Sequence, residues 1–377
     1  MKKKVESFIS SKIDQGYYSG SQVLIAQKGN VLVDLCHGYM TDNTEDPSEK
    51  VNFGTLFNIE SITKVMVTLP LAFRLIQDGK LSLENRVIDF IPEFGTSDLK
   101  KKITILDMLN FTGGIPLDDP SGCLEAALDN NQEKAWDLHF SQELKTQPGK
   151  KVFYSDVSCR IFGKILERIM GRDLDIASKE LIFDPLGMND TMFDPFDKKR
   201  CAATGISDCG RVLRGELVQD LEHYMGEILG SDGLFTNARD MLKFSSMLLK
   251  SSKNNGKNIL EEKTIDKMIG EITNSHVSET ATSYLHYILS GPKVWFWESA
   301  YSPYSFFGDM VSQKAIGKLG GAGTFLLIDP EYDLVVVYLT NYGQPENTLI
   351  GDNSWNKFQN ELDMMGLCNL VIENLPG

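Results

Sequence analysis

Apolar positions follow a helical period over part of this chain and a strand-like period elsewhere, and the changes between the two predict its layout. Residues 2–14 place Val5, Phe8, Ile9 and Ile13 on one side of a helix. Ser21–Gln27 and Val31–Cys36 are short strand-like runs on either side of Lys28-Gly29-Asn30, a hairpin signal. From Ser61 the helical period returns through Val65, Leu69, Ala72, Phe73 and Ile76, and Gly79 closes it. Pro70 falls inside that stripe without an N–H to give, so a kink or one lost backbone bond is expected.

The middle of the chain reads as helices joined by polar loops. Ile103–Asn110 is a short periodic piece ended by Thr112-Gly113-Gly114, and Phe162–Met170 is a helix closed by Gly171. Asp184-Pro185-Leu186-Gly187-Met188 is a turn, Asp240–Leu249 a helix and Ser251–Asn258 a polar surface loop. Residues 196–232 are irregular and glycine-bearing, suited to the rim of a site. Strands return at Phe325–Ile328 and Leu334–Thr340, around Asp329-Pro330-Glu331. A last helix, roughly Trp355–Leu367, carries Trp355, Phe358, Leu362 and Met365 on one face. This order predicts an α+β fold: one antiparallel sheet built from both termini and flanked by helices, with a mostly helical inserted region. Residues 1–57 and 289–377 form the expected sheet region and 58–288 the helical one, a discontinuous two-lobed unit with its site between the lobes.

Composition narrows the function. Of 377 residues, 42% are hydrophobic and 24% charged, as in ordinary globular proteins. A net charge of −14 argues against nucleic acid or an anionic membrane surface as partner. Lys2-Lys3-Lys4 and Lys100-Lys101-Lys102 read as solvated surface. No apolar signal core follows the basic start, because Glu6, Ser10, Ser11, Lys12 and Asp14 interrupt it. No run of about 18 apolar residues offers a membrane span. The cysteines (Cys36, Cys123, Cys159, Cys201, Cys209, Cys368) and histidines (His37, His139, His223, His276, His286) lack metal-ligand spacing. A reduced, cytoplasmic protein without metal or organic cofactor is expected. There is no Gly-x-Ser-x-Gly elbow and no dinucleotide-type glycine pattern.

Candidate chemistry starts at Ser61 and Lys64, three residues apart and hence on one helical face. A serine needs a base to become a nucleophile, and a lysine one turn away can be that base if partly neutral. The spacing alone is common: Ser97, Ser290 and Ser354 also precede a lysine by three residues. Two other stretches set Ser61 apart. Phe153-Tyr154-Ser155-Asp156 opens a helix after Pro148-Gly149, and Tyr154 alone among the tyrosines has Asp or Asn two residues on. Gly317-Lys318-Leu319-Gly320-Gly321-Ala322-Gly323-Thr324 precedes a strand, with glycines that allow close backbone approach. Taken singly, Tyr154 reads as a core tyrosine and Lys318 as a solvated strand-end lysine. Trp295, Phe296, Trp297, Tyr301, Tyr304, Phe306 and Phe307 read mostly as core, with some placed to line an acyl pocket beside Lys318.

Together these stretches resemble the serine β-lactamase and penicillin-binding-protein superfamily, most closely its class C β-lactamase-like branch of esterases, D-amino-acid peptidases and acyltransferases. That family carries Ser-x-x-Lys on a helix, Tyr-x-Asn or Tyr-x-Asp on a loop, and Lys-Thr-Gly or His-Thr-Gly on a strand, in this order. Pro148-Gly149, Pro185-Leu186-Gly187-Met188, Gly233-Leu234-Phe235-Thr236 and Ile328-Asp329-Pro330 extend the resemblance over roughly residues 20 to 345. It implies a β-lactamase/transpeptidase-like fold with Ser61 as nucleophile and Lys64 taking or relaying its proton. Tyr154 is the other candidate base, provided Lys64 and Lys318 lower its pKa. The implied oxyanion hole is the backbone N–H of Ser61 and Gly321, next to Gly320. Two substrate-facing positions depart from the family. Leu319 stands where β-lactam-processing members have a hydroxyl residue, and Asp156 where Asn is usual. The implied function is a metal-independent serine hydrolase forming an acyl-enzyme on a small-molecule or short-peptide ester or amide, carboxylesterase-like with weak or no β-lactamase activity. The alternatives are a β-lactamase or D-amino-acid peptidase, an acyltransferase using the same residues, and a non-catalytic scaffold of the same fold.

Overall fold

The computed structural model describes residues 1–42, 46–206, 212–217, 220–249, 259–270, 273, 278–280, 282–300, 304–342 and 352–376. The expectations for Ser251–Asn258, Cys209, His276, Tyr301 and the Trp355 side chain lie outside the described residues, as does part of 196–232.

Both ends of the chain meet in one sheet. Its strands are β1 (Gly20–Gln27), β2 (Asn30–Gly38), β3 (Lys293–Val294), β4 (Trp297–Ser299), β5 (Ile316–Gly320), β6 (Thr324–Asp329) and β7 (Leu334–Thr340). They lie in the order β2-β1-β7-β6-β5-β4-β3, antiparallel throughout. The N-terminal hairpin forms where predicted, with Lys28 and Gly29 at φ 49° and 76° in its turn. It joins the C-terminal strands through β1 and β7, from Ser21 opposite Thr340 to Gln27 opposite Leu334.

Each face of the sheet covers a separate core. On one face, Val23, Ile25, Leu319, Phe325, Leu327 and Tyr338 pack with Val5 and Ile9 of α1 (Lys2–Asp14). On the other, Leu24, Ile316, Leu326 and Val337 meet the helical region, including α2 (Leu69–Gln77), α3 (Asp156–Met170) and α4 (Ala238–Met247). The predicted last helix is two, α5 (Asp352–Leu362) and α6 (Met364–Glu373). Asp363 breaks it in a left-handed conformation, and its carboxylate caps α6 by accepting from Gly366 N at 3.0 Å.

Several elements differ from the sequence pattern for local reasons. The stretch after Ser61 is no continuous α-helix. Glu60–Ile62 is a 3₁₀ turn, and Lys64–Thr68 is a wide π turn in which Leu69 N–H reaches back to Lys64 O. Pro70 has no N–H to return to Met66, and the wide turn lies just ahead of that gap. The Phe162–Met170 helix starts earlier, at Asp156, where Ser155 caps it by accepting from Ser158 N at 2.9 Å. The lysine-bearing stretch thought to precede a strand is itself β5. The aromatic run forms the unpredicted hairpin β3–β4, and Trp295, Phe296, Trp297, Phe306 and Phe307 are all buried as core.

Candidate active site

The turn that carries Ser61 is held on two sides. Phe57–Asn58 pairs with Phe235–Thr236, and Ile59 N donates to Leu234 O at 2.9 Å. Glu60 then adopts φ 47°, unusual for a residue with a side chain, while its N–H bonds Asn58 Oδ1 at 2.9 Å. The other side is the end of β5. A Cβ on Gly320 would lie 2.3 Å from Ile59 O, so only glycine lets the strand press against the turn. Thr324 Oγ1 donates to the same carbonyl at 3.3 Å. The backbone of Gly320 is thereby brought against the segment leading into Ser61, with Gly321 next in the chain.

Ser61 is partly exposed, whereas Lys64 beneath it is fully buried. Lys64 Nζ donates to Ser61 Oγ at 2.8 Å and to Ser231 O at 2.8 Å, and lies 2.7 Å from Asp156 Oδ1. Asp232 Oδ1 is a fourth neighbour at 3.4 Å. Burial works against the ammonium, but Asp156 and Asp232 outweigh it and hold the Lys64 pKa well above that of an ordinary lysine. The reverse holds at Asp156, in the first turn of α3. Burial pushes its carboxyl up, and Lys64, with Arg160 one turn further on, pulls it below the usual range.

Tyr154 stands above both motif lysines, with Lys64 Nζ 5.4 Å and Lys318 Nζ 4.8 Å from its ring centroid. Its backbone is fixed by Phe153 N donating to Phe111 O and Tyr154 N to Leu289 O, each at 2.8 Å. Its ring packs on Phe111, which packs on Phe296. The aromatic run thus supports Tyr154 from behind. The hydroxyl is 3.0 Å from Ser61 Oγ. The expected lowering of its pKa does not occur. Burial and the neighbouring Asp156 raise it well above the ordinary value, and Lys64 offsets this only in part. The phenol is therefore neutral.

Lys318, on the same sheet face as Gly320, forms an ion pair with Glu298 of β4, and both are buried. Leu319 is not brought to the site. Successive strand residues face opposite sides, and Leu319 lies opposite Phe325 in the core that α1 covers. It cannot stand in for a substrate-binding hydroxyl.

Sequence reasoning missed Ser231, Asp232 and Glu298. Ser61 Oγ donates to Asp232 Oδ1 at 3.0 Å, so the loop carrying Asp232 belongs to the site. It is pinned by Thr68 Oγ1 donating to Gly230 O at 2.5 Å and Leu234 N donating to Thr63 Oγ1 at 3.2 Å. Gly163 of α3 makes room for it, since a Cβ there would come 2.7 Å from Leu229 O. The signals were modest: two glycines bracketing Ser231-Asp232, and an acidic residue directly after Trp295-Phe296-Trp297. A charge inside an apolar run calls for a buried partner. Among the described residues, no group of three or more His, Cys, Asp or Glu side chains is arranged to hold a metal ion.

A serine contacted by a buried lysine, a tyrosine and a carboxylate, set between this sheet and its helical layer, fits a serine hydrolase that works through an acyl-enzyme. The chain belongs to the β-lactamase family, whose model, described as Beta-lactamase, matches residues 5–357. An Escherichia coli K12 protein named "Putative D-alanyl-D-alanine carboxypeptidase" is 28% identical over 90% of this chain and 81% of its own length. The Bacillus subtilis "N-acetylmuramyl-L-alanine amidase" is 27% identical over 90% of this chain and 80% of its own. Among solved structures, EstCE1, "a hydrolase with promiscuous acyltransferase activity", superposes with a TM-score of 0.72 at 20% identity, covering 96% of this chain and 97% of its own. A class C β-lactamase from Rhodobacter sphaeroides gives 0.66 at 21% identity, over 96% and 99%. These structural likenesses establish the β-lactamase/transpeptidase fold.

Proposed function

We propose that this serine hydrolase acts on uncharged esters in preference to β-lactams or to peptides ending in a carboxylate. One observation carries the reading: Lys64 beside Ser61 and Lys318 behind Tyr154 are both already engaged by carboxylates. Asp156 and Asp232 flank Lys64, and Glu298 holds Lys318. Around Ser61 itself two carboxylates, Asp156 and Asp232, face the single ammonium of Lys64, so an anionic substrate meets repulsion. A neutral ester needs only the nucleophile and two backbone donors.

In this reading Ser61 Oγ attacks the acyl carbon, and the N–H groups of Ser61 and Gly321 receive the developing oxyanion. Lys64 keeps its charge and stabilises the serine oxygen as it loses its proton. Tyr154 orients that oxygen by hydrogen bonding, and Lys318 with Glu298 forms the wall behind the tyrosine. EstCE1's description as a hydrolase with promiscuous acyltransferase activity fits an acyl-enzyme route. The names of the two sequence relatives favour a second reading, cleavage of a cell-wall amide by the same residues.

The test measures kcat/KM for a short-chain aryl ester, a chromogenic cephalosporin and a D-alanyl-D-alanine peptide, with intact mass after fluorophosphonate treatment. The ester should lead and the label should map to Ser61. A cephalosporin or peptide that leads, or a label on Ser97 or Ser290, overturns the reading.

A further inference from the structure

The hydrogen-bond inventory around Ser61 points to a proton acceptor that is neither the lysine nor the tyrosine. An ammonium has three N–H groups. Two of them go to Ser61 Oγ and Ser231 O, each at 2.8 Å, and the third faces the carboxylates of Asp232, at 3.4 Å, and Asp156, whose Oδ1 forms an ion pair at 2.7 Å. No lone pair is left facing Ser61. The serine oxygen accepts from Lys64, so its own hydrogen can go to Tyr154 or to Asp232, each 3.0 Å away. A neutral phenol has a hydrogen of its own to place, whereas a carboxylate only accepts. If Tyr154 donates to Ser61 and Ser61 donates to Asp232, every hydrogen in the cluster has an acceptor.

We propose that Asp232 is the general base of this enzyme. In acylation the Ser61 hydrogen passes to Asp232 Oδ1 as the Ser61 oxygen bonds to the acyl carbon and the carbonyl π pair moves onto its oxygen. The intermediate then collapses, the bond to the leaving alcohol oxygen breaks with its electron pair, and Asp232 returns the proton to that oxygen. In deacylation a water gives its proton to Asp232 while its oxygen attacks the ester. The acyl–Ser61 bond breaks, and the same proton restores the serine hydroxyl. Lys64 stays charged throughout and neutralises the oxygen at each transfer.

The fold holds Asp232 for this task. Its loop is fastened to the nucleophile segment through Thr68 and Thr63, and α3 carries glycine where the loop passes closest. Asp232 is buried, so the hydrogen bond from Ser61 is shielded from solvent. The assignment rests on Ser61 being the nucleophile, and the experiment separates the two claims.

Wild type, Asp232→Asn and Asp232→Ala are compared on the aryl ester by pre-steady-state acylation, with thermal unfolding as the check on folding. The Asn variant keeps the shape and loses the base. Its acylation rate should fall by about 10³-fold, the order expected for a lost general base, with KM nearly unchanged. Formate, entering the space vacated in Asp232→Ala, should restore at least tenfold of the lost rate there and nothing in the Asn variant. An Asn variant that acylates within about fivefold of wild type, or a loss confined to KM, overturns the proposal. If the Asn side chain disturbs the fold, the Ala variant decides: folded, inactive and not rescued by formate, it overturns the assignment. A wild type that is never acylated at Ser61 sinks the functional reading itself.

Discussion

Two buried lysines flank Tyr154, and they are used differently. Lys64 touches Ser61 Oγ and shares its charge among Ser61, Asp156, Asp232 and a backbone carbonyl. Lys318 is paired with one carboxylate, Glu298, and reaches the site only through the Tyr154 ring. Burying an ammonium is costly in both places, and both are compensated by carboxylates. In the first cluster the compensating Asp232 also accepts from Ser61 Oγ; in the second, Glu298 completes a wall. A lysine in a motif therefore says little about available positive charge until its partners are known.

Removing each lysine in turn should break this comparison most sharply. Lys64→Met leaves Asp156 and Asp232 without their cation and takes a donor from Ser61. It should cost on the order of 10³-fold in kcat/KM and about 3–5 kcal/mol of stability. Lys318→Met strands Glu298 and should cost about as much stability, but only on the order of tenfold in rate. Paired denaturation curves and ester kinetics read both, and equal rate losses would show that the clusters work as one.

The ion pair of the wall can then be removed as a unit. Lys318→Met combined with Glu298→Gln should recover part of the stability lost in the single variant, because Glu298 is no longer an unpaired buried ion, although Lys293 loses its carboxylate neighbour. Additive losses in the double-mutant cycle would mean that the two side chains are not the pair seen here.

A smaller effect tests the charge excess. Asp156→Asn removes one carboxylate and should raise kcat/KM for a cephalosporin relative to the ester by about tenfold, within reach of one charge at a partly solvated site. Leu319→Thr should give no such gain and should cost about 1–3 kcal/mol, since its hydroxyl enters the apolar face of the sheet. A gain from Leu319→Thr would contradict the register of β5.

A third lysine supplies the mildest contrast. Lys293 lies opposite Glu298 in the β3–β4 hairpin, and burial lowers its pKa to about 8, with Glu298 opposing the shift and Lys318 reinforcing it. The unfolded chain keeps a value near 10.5 and so binds more protons than the folded protein above about pH 8. Stability should therefore gain a rising contribution between about pH 8 and pH 10.5, and the burial penalty is fully present below that window. Lys293→Met should remove the rise and increase the unfolding midpoint at neutral pH. A variant with the wild-type slope would assign the rise to another group.

What could be read from the chain was local or periodic. A spacing of three residues put Ser61 and Lys64 within one turn, and they remain together although the turn is 3₁₀ and π rather than α. Short apolar runs bounded by turn residues placed β1, β2, β6 and β7, of which β1, β6 and β7 are buried on both faces. Short β3 and β4 are not legible in the sequence, since two or three residues, Lys293 and Glu298 among them, carry no period. The position of Leu319 was known from the chain, but not the face it takes. Only the register of β5 against β6 sets that, and a one-residue difference reverses it.

The ionisation of the site was decided by tertiary structure alone. Asp232 lies 168 positions from Lys64, yet they share one buried cluster. Glu298 is 20 positions before Lys318, on the preceding strand, and becomes its neighbour only when β4 pairs with β5. By itself the sequence determined which groups could do chemistry: one serine, two lysines and one tyrosine in a given order. Folding determined their protonation, because a buried charge depends on which opposite charge the fold brings within a few ångströms, and separation along the chain does not record that distance.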